Sequence, residues 1–403
     1  MGKVFYHLRA FQTFFLFLFD RCVILSPEVN EMKLLRVKAD HFKNCDDGFT
    51  IDMVARSRKS SEDKEYELQE IAPDLHVYNT MAFIGKNASG KTSAMELLDA
   101  CYSILGEFRL EGKHYSYDGV KLEIIFFYEN YIYLYDVQLA ADSTLGNKAA
   151  FKNEHIYRKQ YYKTNVKEIY ERDSFTELCD IGELPEDTSN IFFVLKKKQT
   201  RAIYFDSFGS GTNTYQLMFN ALKHYDIDEG ILAKILRIFD ENFEDLKKLD
   251  EHNYRLTFSG EEKNLSDTQL IYMLSSGTTK GILLYTLMVA SLTEGFDLLV
   301  DEVENHFHKT LVENMISLYK GKTVNRHNAT LMFTTHYCEV LDQMGRQDNL
   351  WICRSGKHVS LSNMYSDYQI RPELLKSKQY YNNAFQTAVN YDELMNLKRT
   401  LKR

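Results

Sequence analysis

The sequence feature that most constrains the fold is an eight-residue turn between an apolar segment and a helical one. It fits the pattern G-x-x-x-x-G-K-[ST] in full, and its residues are Gly85, Lys86, Asn87, Ala88, Ser89, Gly90, Lys91 and Thr92. The apolar residues 80–84 before it predict a strand, and the pattern after it predicts a helix from Lys91 to about Leu105. A strand–turn–helix unit of this kind favours an α/β fold.

This turn has the residue types that a phosphate-binding loop needs. Glycines let backbone N–H groups turn inward around phosphates, and the following helix adds the positive end of its dipole. In such a loop Lys91 reaches the β- and γ-phosphates and the Thr92 hydroxyl ligates Mg²⁺. The alternative is an ordinary glycine-rich turn that contains a lysine, but the strand before it and the helix after it argue against a chance match.

A second segment, about 200 residues later, ends in two carboxylates. Residues 296–300 (FDLLV) predict a buried strand, and Asp301 and Glu302 come directly after it. A carboxylate at the end of a parallel strand can hold Mg²⁺, usually through water, so Asp301 joins Thr92 as a candidate metal ligand. Glu302 is the candidate general base that activates water. Strands often end in exposed acidic residues, so this pattern alone is weak evidence for a metal site. Together with the phosphate-binding turn it is strong evidence.

Two further segments carry candidate site residues. Residues 274–278 (LSSGT) open a helical pattern, and they predict either an anion-binding helix N-terminus or ordinary capping by serine. Residues 329–335 predict a strand that ends at His336. A histidine at a strand end is usually structural, but beside Asp301 and Glu302 it is a candidate contact for the γ-phosphate.

Length and composition limit the remaining choices. The 403 residues allow two or three domains, and the net charge of −8 argues against a protein that coats nucleic acid by bulk charge. The six cysteines form no CxxC pair, which predicts single thiols in a reduced core. The expected divisions are an N-terminal extension (1–31), a first lobe (32–140), an inserted specificity or lid region (141–270), a second lobe (271–365) and a docking tail (366–403).

The first 31 residues differ in character from the rest of the chain. The apolar run Thr13–Phe19 is only seven residues long, whereas a membrane span needs about 20. We expect Met32 to be the natural start, because residues 32–38 predict an amphipathic first strand. The alternative is a weak membrane-surface or partner-binding segment. No membrane partner is expected, and we expect a cytoplasmic location.

Three local patterns outside the motifs give further expectations. Residues 120–128 and 131–139 predict a β-hairpin around Glu129 and Asn130. A helix is expected from Gly230 to Leu249, with a short hairpin after it at 254–258. The basic run 196–198 with Arg201 predicts a solvated face or, less often, a basic patch.

With these segments together, the chain resembles the ABC-type branch of the P-loop ATPases, and within it the prokaryotic AAA ATPases related to RecF, Rad50 and the OLD proteins. Residues 274–278 align with the LSGGQ signature, Asp301 and Glu302 with Walker B, and His336 with the switch histidine. Residues 305–308 (NHFH) fall at the D-loop. The signature departs from the family pattern at Ser276 and Thr278, and Gln138 is only a candidate for the Q-loop glutamine.

This resemblance implies the fold of a P-loop NTPase with the architecture of an ABC ATPase head: a mixed central sheet, an antiparallel β subdomain and an inserted, mainly helical lid. It implies ATP and Mg²⁺ as ligands, with Glu302 and His336 as catalytic residues. It also implies a head-to-tail dimer, or a larger assembly, in which Ser275 and Gly277 of one subunit clamp the γ-phosphate of ATP held by Lys91 of the other.

The resemblance leaves two main functions open. The first is an ATPase subunit of an anti-phage or toxin–antitoxin-like system that controls a separate effector, such as a nuclease or toxin. Only 67 residues come after His336, which is short for the TOPRIM nuclease of OLD proteins, and we expect the effector to be a partner protein. The second is a RecF- or SMC-like repair ATPase that clamps DNA directly. A transporter motor ranks third, because the loop and the signature lie too far apart.

Overall fold

The computed structural model describes most of the chain after residue 31. The described residues are 32–111, 116–146, 148–179, 182, 184–196, 201–205, 223–225, 229–250, 252–273, 276–305, 307–368, 370–371, 374–386 and 391–401. They form two compact units, one from the described parts of 31–206 and 295–403 and the other from those of 207–294. The expectations for the N-terminal extension fall outside the described residues, as do those for Lys197 and Lys198.

The described part of the chain contains both β-strands and α-helices. The strands are β1 (Lys33–Asp40), β2 (Phe49–Asp52), β3 (Leu68–Ala72), β4 (Leu75–Tyr78), β5 (Thr80–Ile84), β6 (Lys121–Tyr128), β7 (Tyr131–Ala141), β8 (Ala149–Gln160), β9 (Thr176–Glu177), β10 (Ala202–Phe205), β11 (Phe243–Lys248), β12 (Asn253–Phe258), β13 (Glu261–Ser266), β14 (Asp297–Val300), β15 (Leu331–Thr335), β16 (Leu350–Ser355) and β17 (Val359–Asn363). The α-helices are α1 (Lys91–Glu107), α2 (Phe192–Leu195), α3 (Glu229–Phe239), α4 (Asp267–Met273), α5 (Ser276–Glu294), α6 (Lys309–Lys320), α7 (Met364–Asp367), α8 (Lys376–Tyr381) and α9 (Tyr391–Thr400).

Short helices of other types lie between these elements. A π-helical turn spans Asp63–Glu67, and the 3₁₀ turns are Ser143–Leu145, Lys163–Glu168, Arg172–Ser174, Val303–Asn305 and Cys338–Gln343. None of the described helices is both long enough and apolar enough to cross a membrane.

The larger unit contains a mixed sheet in the order β10–β14–β15–β5–β16–β17. Its first five strands are parallel, and β17 pairs antiparallel with β16. The central strands β5 and β15 are buried at every residue, as expected for parallel strands covered on both faces. The carboxyl ends of β14, β15 and β5 therefore lie side by side at one edge of the sheet.

A second, antiparallel sheet in the same unit has the order β2–β1–β6–β7–β8–β9. The hairpin expected around Glu129 and Asn130 is confirmed: these residues connect β6 to β7 with φ of 49° and 63°, the left-handed pair that a tight hairpin turn requires. Strand β8 pairs with β7 along most of its length. The antiparallel sheet thus continues beyond residue 140, where the sequence suggested a division.

The smaller unit combines helices α3, α4 and α5 with the three-stranded antiparallel sheet β11–β12–β13. The expectation of a helix from Gly230 to Leu249 is wrong in its second half, since α3 ends at Phe239 and residues 243–248 form β11. A β-bulge between Phe243 and Asp245 is the reason. It lets Phe243 and Leu246 both be buried, so the strand shows a helix-like spacing of three.

The cysteines agree with a reduced protein. Among the described residues Cys45, Cys101, Cys338 and Cys353 are buried free thiols, and Cys179 is a free thiol on the surface. The expectation of single thiols is confirmed for these five positions, four of which lie in the core.

Candidate functional site

The phosphate-binding turn connects buried β5 to α1 and depends on both of its glycines. Gly90 has a φ of 92°, and a Cβ there would lie 2.2 Å from Val359 Cγ1. A Cβ on Gly85 would lie 2.3 Å from Ser89 Oγ and 2.5 Å from the Cys353 carbonyl oxygen. Only glycine fits either position, because the turn packs directly against β16 and β17.

Lys91 begins α1 and its side chain is buried inside the turn, with 5% of the residue exposed. Its ammonium group donates to the carbonyl oxygens of Gly85 at 3.1 Å and Lys86 at 3.3 Å. It also lies 2.9 Å from Nε2 of His336, a residue 245 positions away. Burial lowers the pKa of Lys91, and the nearby carboxylates of Glu304, Glu302 and Asp301 act in the opposite direction.

Thr92 and Asp301 form the centre of the site. The Thr92 hydroxyl donates to Asp301 Oδ2 at 2.7 Å, and Thr334 donates to Asp301 Oδ1 at 2.6 Å. Strand register explains the contact with Thr334, since Val300 pairs with Phe333 and the next residues therefore meet. Burial raises the pKa of Asp301, while the two hydroxyl donors favour its ionised form. Asp301 is thus a buried carboxylate held in a fixed orientation beside the turn.

Glu302 comes next in the chain and has a left-handed conformation with a φ of 49°. Its main-chain N–H donates to Thr334 Oγ1 at 2.6 Å, and its carboxylate accepts from Asn305 Nδ2 at 2.6 Å. These two bonds fix both the backbone and the side chain of Glu302. A non-glycine residue in this conformation is strained, and such strain is often found at functional sites.

His336 comes directly after β15. Thr335 pairs with Ile84 of β5, so His336 is placed next to Gly85 and the start of the turn. Its main-chain N–H donates to Glu304 Oε1 at 2.6 Å. Burial lowers the pKa of His336, with the positive charge of Lys91 as the second cause, so both effects favour the neutral ring.

This arrangement fits a nucleoside triphosphate with Mg²⁺. The turn provides a cradle that a Cβ would fill at two positions, and the Ser89 hydroxyl inside it is buried with no hydrogen-bond partner among the described residues. Thr92 and Asp301 present the hard oxygen ligands that Mg²⁺ prefers. Lys91 would hold the phosphates, and Glu302 and His336 lie at the same sheet edge.

The structure brings together the loop, Asp301, Glu302 and His336, as the sequence suggested, but it does not describe the whole signature. Ser275 lies outside the described residues, and Gly277 is described only as part of helix α5. Gln138 lies in β7 of the antiparallel sheet rather than in the parallel sheet that carries the turn, and it accepts a hydrogen bond from Asn153 at 3.1 Å.

Three residues that orient the site were not predicted from the sequence: Thr334, Glu304 and Asn305. Each orients a predicted site residue, as Thr334 does for Asp301 and Asn305 for Glu302. The available signal was their position, since polar residues just after a buried strand or at its end meet at one edge of a parallel sheet. Their partners depend on strand register, which the sequence alone does not give.

Solved structures with a similar arrangement include SMC heads and RecF. The SMC head domain from Thermotoga maritima has 13% identity and a TM-score of 0.38, with 82% of this chain and 98% of that chain covered. An SMC head bound to the C-winged helix domain of ScpA has 11% identity and a TM-score of 0.40, with 82% of this chain and 97% of that chain covered. RecF with ATP has 10% identity and a TM-score of 0.38, covering 84% and 100%. These values are too low to transfer a function.

Among curated proteins none matches the sequence. A family model does match, over residues 81–342, which is more than half of the chain and runs from within β5 to just beyond His336. Its description is "AAA domain, putative AbiEii toxin, Type IV TA system". The sheet, the turn and the residues at the sheet edge form an ABC-type P-loop ATPase fold. The chain therefore belongs to this family of AAA-domain ATPases.

Proposed function

We propose that the protein binds ATP with Mg²⁺ and hydrolyses it. The observation that carries this proposal is the 2.7 Å bond between Thr92 and Asp301, with the buried Lys91 one residue before Thr92. A cation and two oxygen ligands at the end of parallel strands form a site for phosphates and a divalent metal.

The residues of this site have separate tasks in hydrolysis. Thr92 and Asp301 would hold Mg²⁺, which would supply positive charge to offset that of the β- and γ-phosphates. Lys91 binds the same phosphates as a buried cation, and His336 contacts the γ-phosphate from the end of β15. Glu302, fixed by Thr334 and Asn305, orients the attacking water and accepts its proton.

ATP turnover by Glu302→Gln tests this assignment. We expect kcat to fall by about 100-fold or more, as for the loss of a general base, while ATP affinity stays near the wild-type value. Glu261→Gln is the matched control, because Glu261 lies on the surface of β13 in the other unit. Turnover of Glu302→Gln at the wild-type rate would show that Glu302 is not the base.

The proposed active form is a head-to-tail dimer or a larger assembly. In it, Ser275 and Gly277 of one subunit contact the γ-phosphate of ATP bound to Lys91 of the other. Ser275→Arg combined with Glu302→Gln tests this arrangement by light scattering with ATP and Mg²⁺. We expect ATP to be bound but ATP-driven pairing to be lost. Pairing at the level of Glu302→Gln alone contradicts the proposal.

The proposed role is control of a separate effector, such as a nuclease or toxin, in the cytoplasm as part of anti-phage defence. The description of the matched family names a putative toxin of a type IV toxin–antitoxin system, which supports the toxin–antitoxin setting of this proposal; it names no separate effector. The basic last turn of α9 supports a docking role for residues 366–403: Leu397 is 56% exposed and is followed by Lys398 and Arg399.

A tagged pulldown of Glu302→Gln from the native host, with ATP, Mg²⁺ and nuclease treatment, tests the partner. A second protein in stoichiometric amount, retained after nuclease treatment and lost with Lys91→Ala, supports the effector model. Recovery of nucleic acid without a protein partner overturns it in favour of a RecF- or SMC-like ATPase that clamps DNA.

A further inference from the structure

Glu304 lies in the site but has no task in the proposed hydrolysis of ATP. It belongs to the 3₁₀ turn Val303–Asn305, which begins directly after Glu302. Its Oε1 accepts the main-chain N–H of His336 at 2.6 Å. This bond joins the segment after β14 to the end of the neighbouring strand β15. Glu304 therefore connects the two segments that carry the candidate general base and the candidate γ-phosphate contact.

The second carboxylate oxygen of Glu304 is unusual. Oε2 is buried and has no hydrogen-bond partner among the described residues. A buried carboxylate oxygen without a donor is unfavourable unless a positive charge lies near it. Lys91 and His336, whose Nζ and Nε2 atoms are 2.9 Å apart, both feel the negative charge of Glu304. The negative charge of Glu304 therefore acts on the same lysine–histidine pair that its Oε1 helps to position through the main chain of His336.

We infer that Glu304 is the positioning residue of His336: its carboxylate accepts the main-chain N–H of His336 and so fixes the residue whose ring lies 2.9 Å from Lys91 at the phosphate-binding turn. The expected effect on ATP turnover rests on the proposed ATPase activity. The positioning of His336 by Glu304 does not. Glu304 acts through His336 and makes no bond to Thr92 or Asp301, the candidate metal ligands, among the described contacts.

Two substitutions separate the hydrogen bond that the Glu304 carboxylate accepts from the negative charge that it carries. Glu304→Gln retains an oxygen that accepts the His336 N–H but removes the charge, whereas Glu304→Ala removes both. We expect kcat for ATP to fall about 10-fold in Glu304→Gln and about 100-fold in Glu304→Ala. The KM and the dissociation constant for ATP should change less than about threefold, because Lys91 and Thr92 still bind the phosphates.

Glu313→Ala is the matched control, since Glu313 is a glutamate on α6 whose side chain pairs with Lys309 rather than with site residues. It should retain wild-type kcat. Equal, wild-type kcat in both Glu304 variants overturns the inference. It is also overturned if the dissociation constant for ATP rises as much as kcat falls, because the defect is then a general loss of the site.

A readout independent of turnover separates failure of this inference from failure of the proposed function. The method is NMR of the full-length protein with isotopically labelled histidines. The ring signals of His336 are identified by their loss in His336→Asn. We expect them to shift in Glu304→Gln and to shift further or broaden in Glu304→Ala, with no change in Glu313→Ala. Unchanged His336 signals in both Glu304 variants overturn the inference whether or not the wild-type protein hydrolyses ATP.

Discussion

The two main sheets of the larger unit can be compared through one buried lysine at each. Lys91 lies at the edge of the parallel sheet and Lys159 in β8 of the antiparallel sheet, and they are 5% and 8% exposed. Burial lowers the pKa of both, that of Lys159 to about 8. Both ammonium groups donate to backbone carbonyls. Their burial and their pKa shifts alone do not distinguish a functional lysine from a structural one.

The surroundings of the two lysines do distinguish them. Lys159 donates to the Glu168 carbonyl and to Ser174 Oγ, the last residues of two 3₁₀ turns, and its ammonium lies 4.2 Å from the centre of the Phe175 ring. Lys159 therefore connects these two 3₁₀ turns to strand β8. Lys91 instead lies in a glycine turn beside a histidine and three carboxylates. The convergence of chemical groups, rather than burial, identifies the candidate site around Lys91.

The largest effect is expected for nucleotide binding when Lys91 is removed. Lys91→Ala should weaken ATP binding about 1,000-fold, or about 4 kcal/mol, because a buried triphosphate loses its main cation. Lys159→Met should bind ATP as the wild type does. Titration of the full-length proteins with a fluorescent ATP analogue measures both. Equal losses in the two variants would contradict the assignment of separate roles.

A smaller effect is expected from the candidate metal ligands. Thr92→Val keeps the shape of the side chain but removes the hydroxyl that bonds Asp301, so the Mg²⁺ concentration needed for ATP turnover should rise about 10- to 100-fold. Thr176→Val, on the exposed strand β9, is the control and should leave it unchanged. An unchanged Mg²⁺ requirement in Thr92→Val would remove Thr92 from the metal site.

The glycines of the turn give a stability effect. Gly90→Ala should destabilise the protein by about 2–4 kcal/mol, because its Cβ meets Val359 and its φ of 92° is left-handed. Gly119→Ala, with a φ of 76° and open space around its Cβ, should lose only about 1 kcal/mol. Denaturant unfolding compares the two. A similar loss in both would mean that the turn yields to the added methyl group.

The smallest effect concerns the pH dependence of stability. The pKa of Lys159 falls from 10.5 to about 8 on folding, so between these values the unfolded state binds more protons. The free energy of unfolding of the wild type should therefore rise, relative to Lys159→Met, by about 1 kcal/mol per pH unit from about pH 8 towards pH 10.5. Below pH 8 the difference should be constant. If the difference in the free energy of unfolding between the wild type and Lys159→Met did not depend on pH, burial would not lower the pKa of Lys159.

Much of the candidate site was predictable because its pattern is local. The turn and helix α1 follow from residues 80–105, and the strand before Asp301 follows from an apolar run. The second half of the helix expected at 230–249 was wrong because a bulge gave β11 a helical spacing. Such an irregularity has no clear sequence signal, since it is defined by pairing with another strand.

The sequence by itself determined which chemical groups the site contains: glycines for a tight turn, a lysine, hydroxyls, carboxylates and a histidine. It did so because a phosphate-binding turn needs its residues at fixed, short spacing. Only the tertiary structure decided which distant groups meet. Asp301 contacts Thr92 across 209 residues and His336 contacts Lys91 across 245. The register of parallel strands sets these contacts, and the same register gives Glu304 its bond to His336.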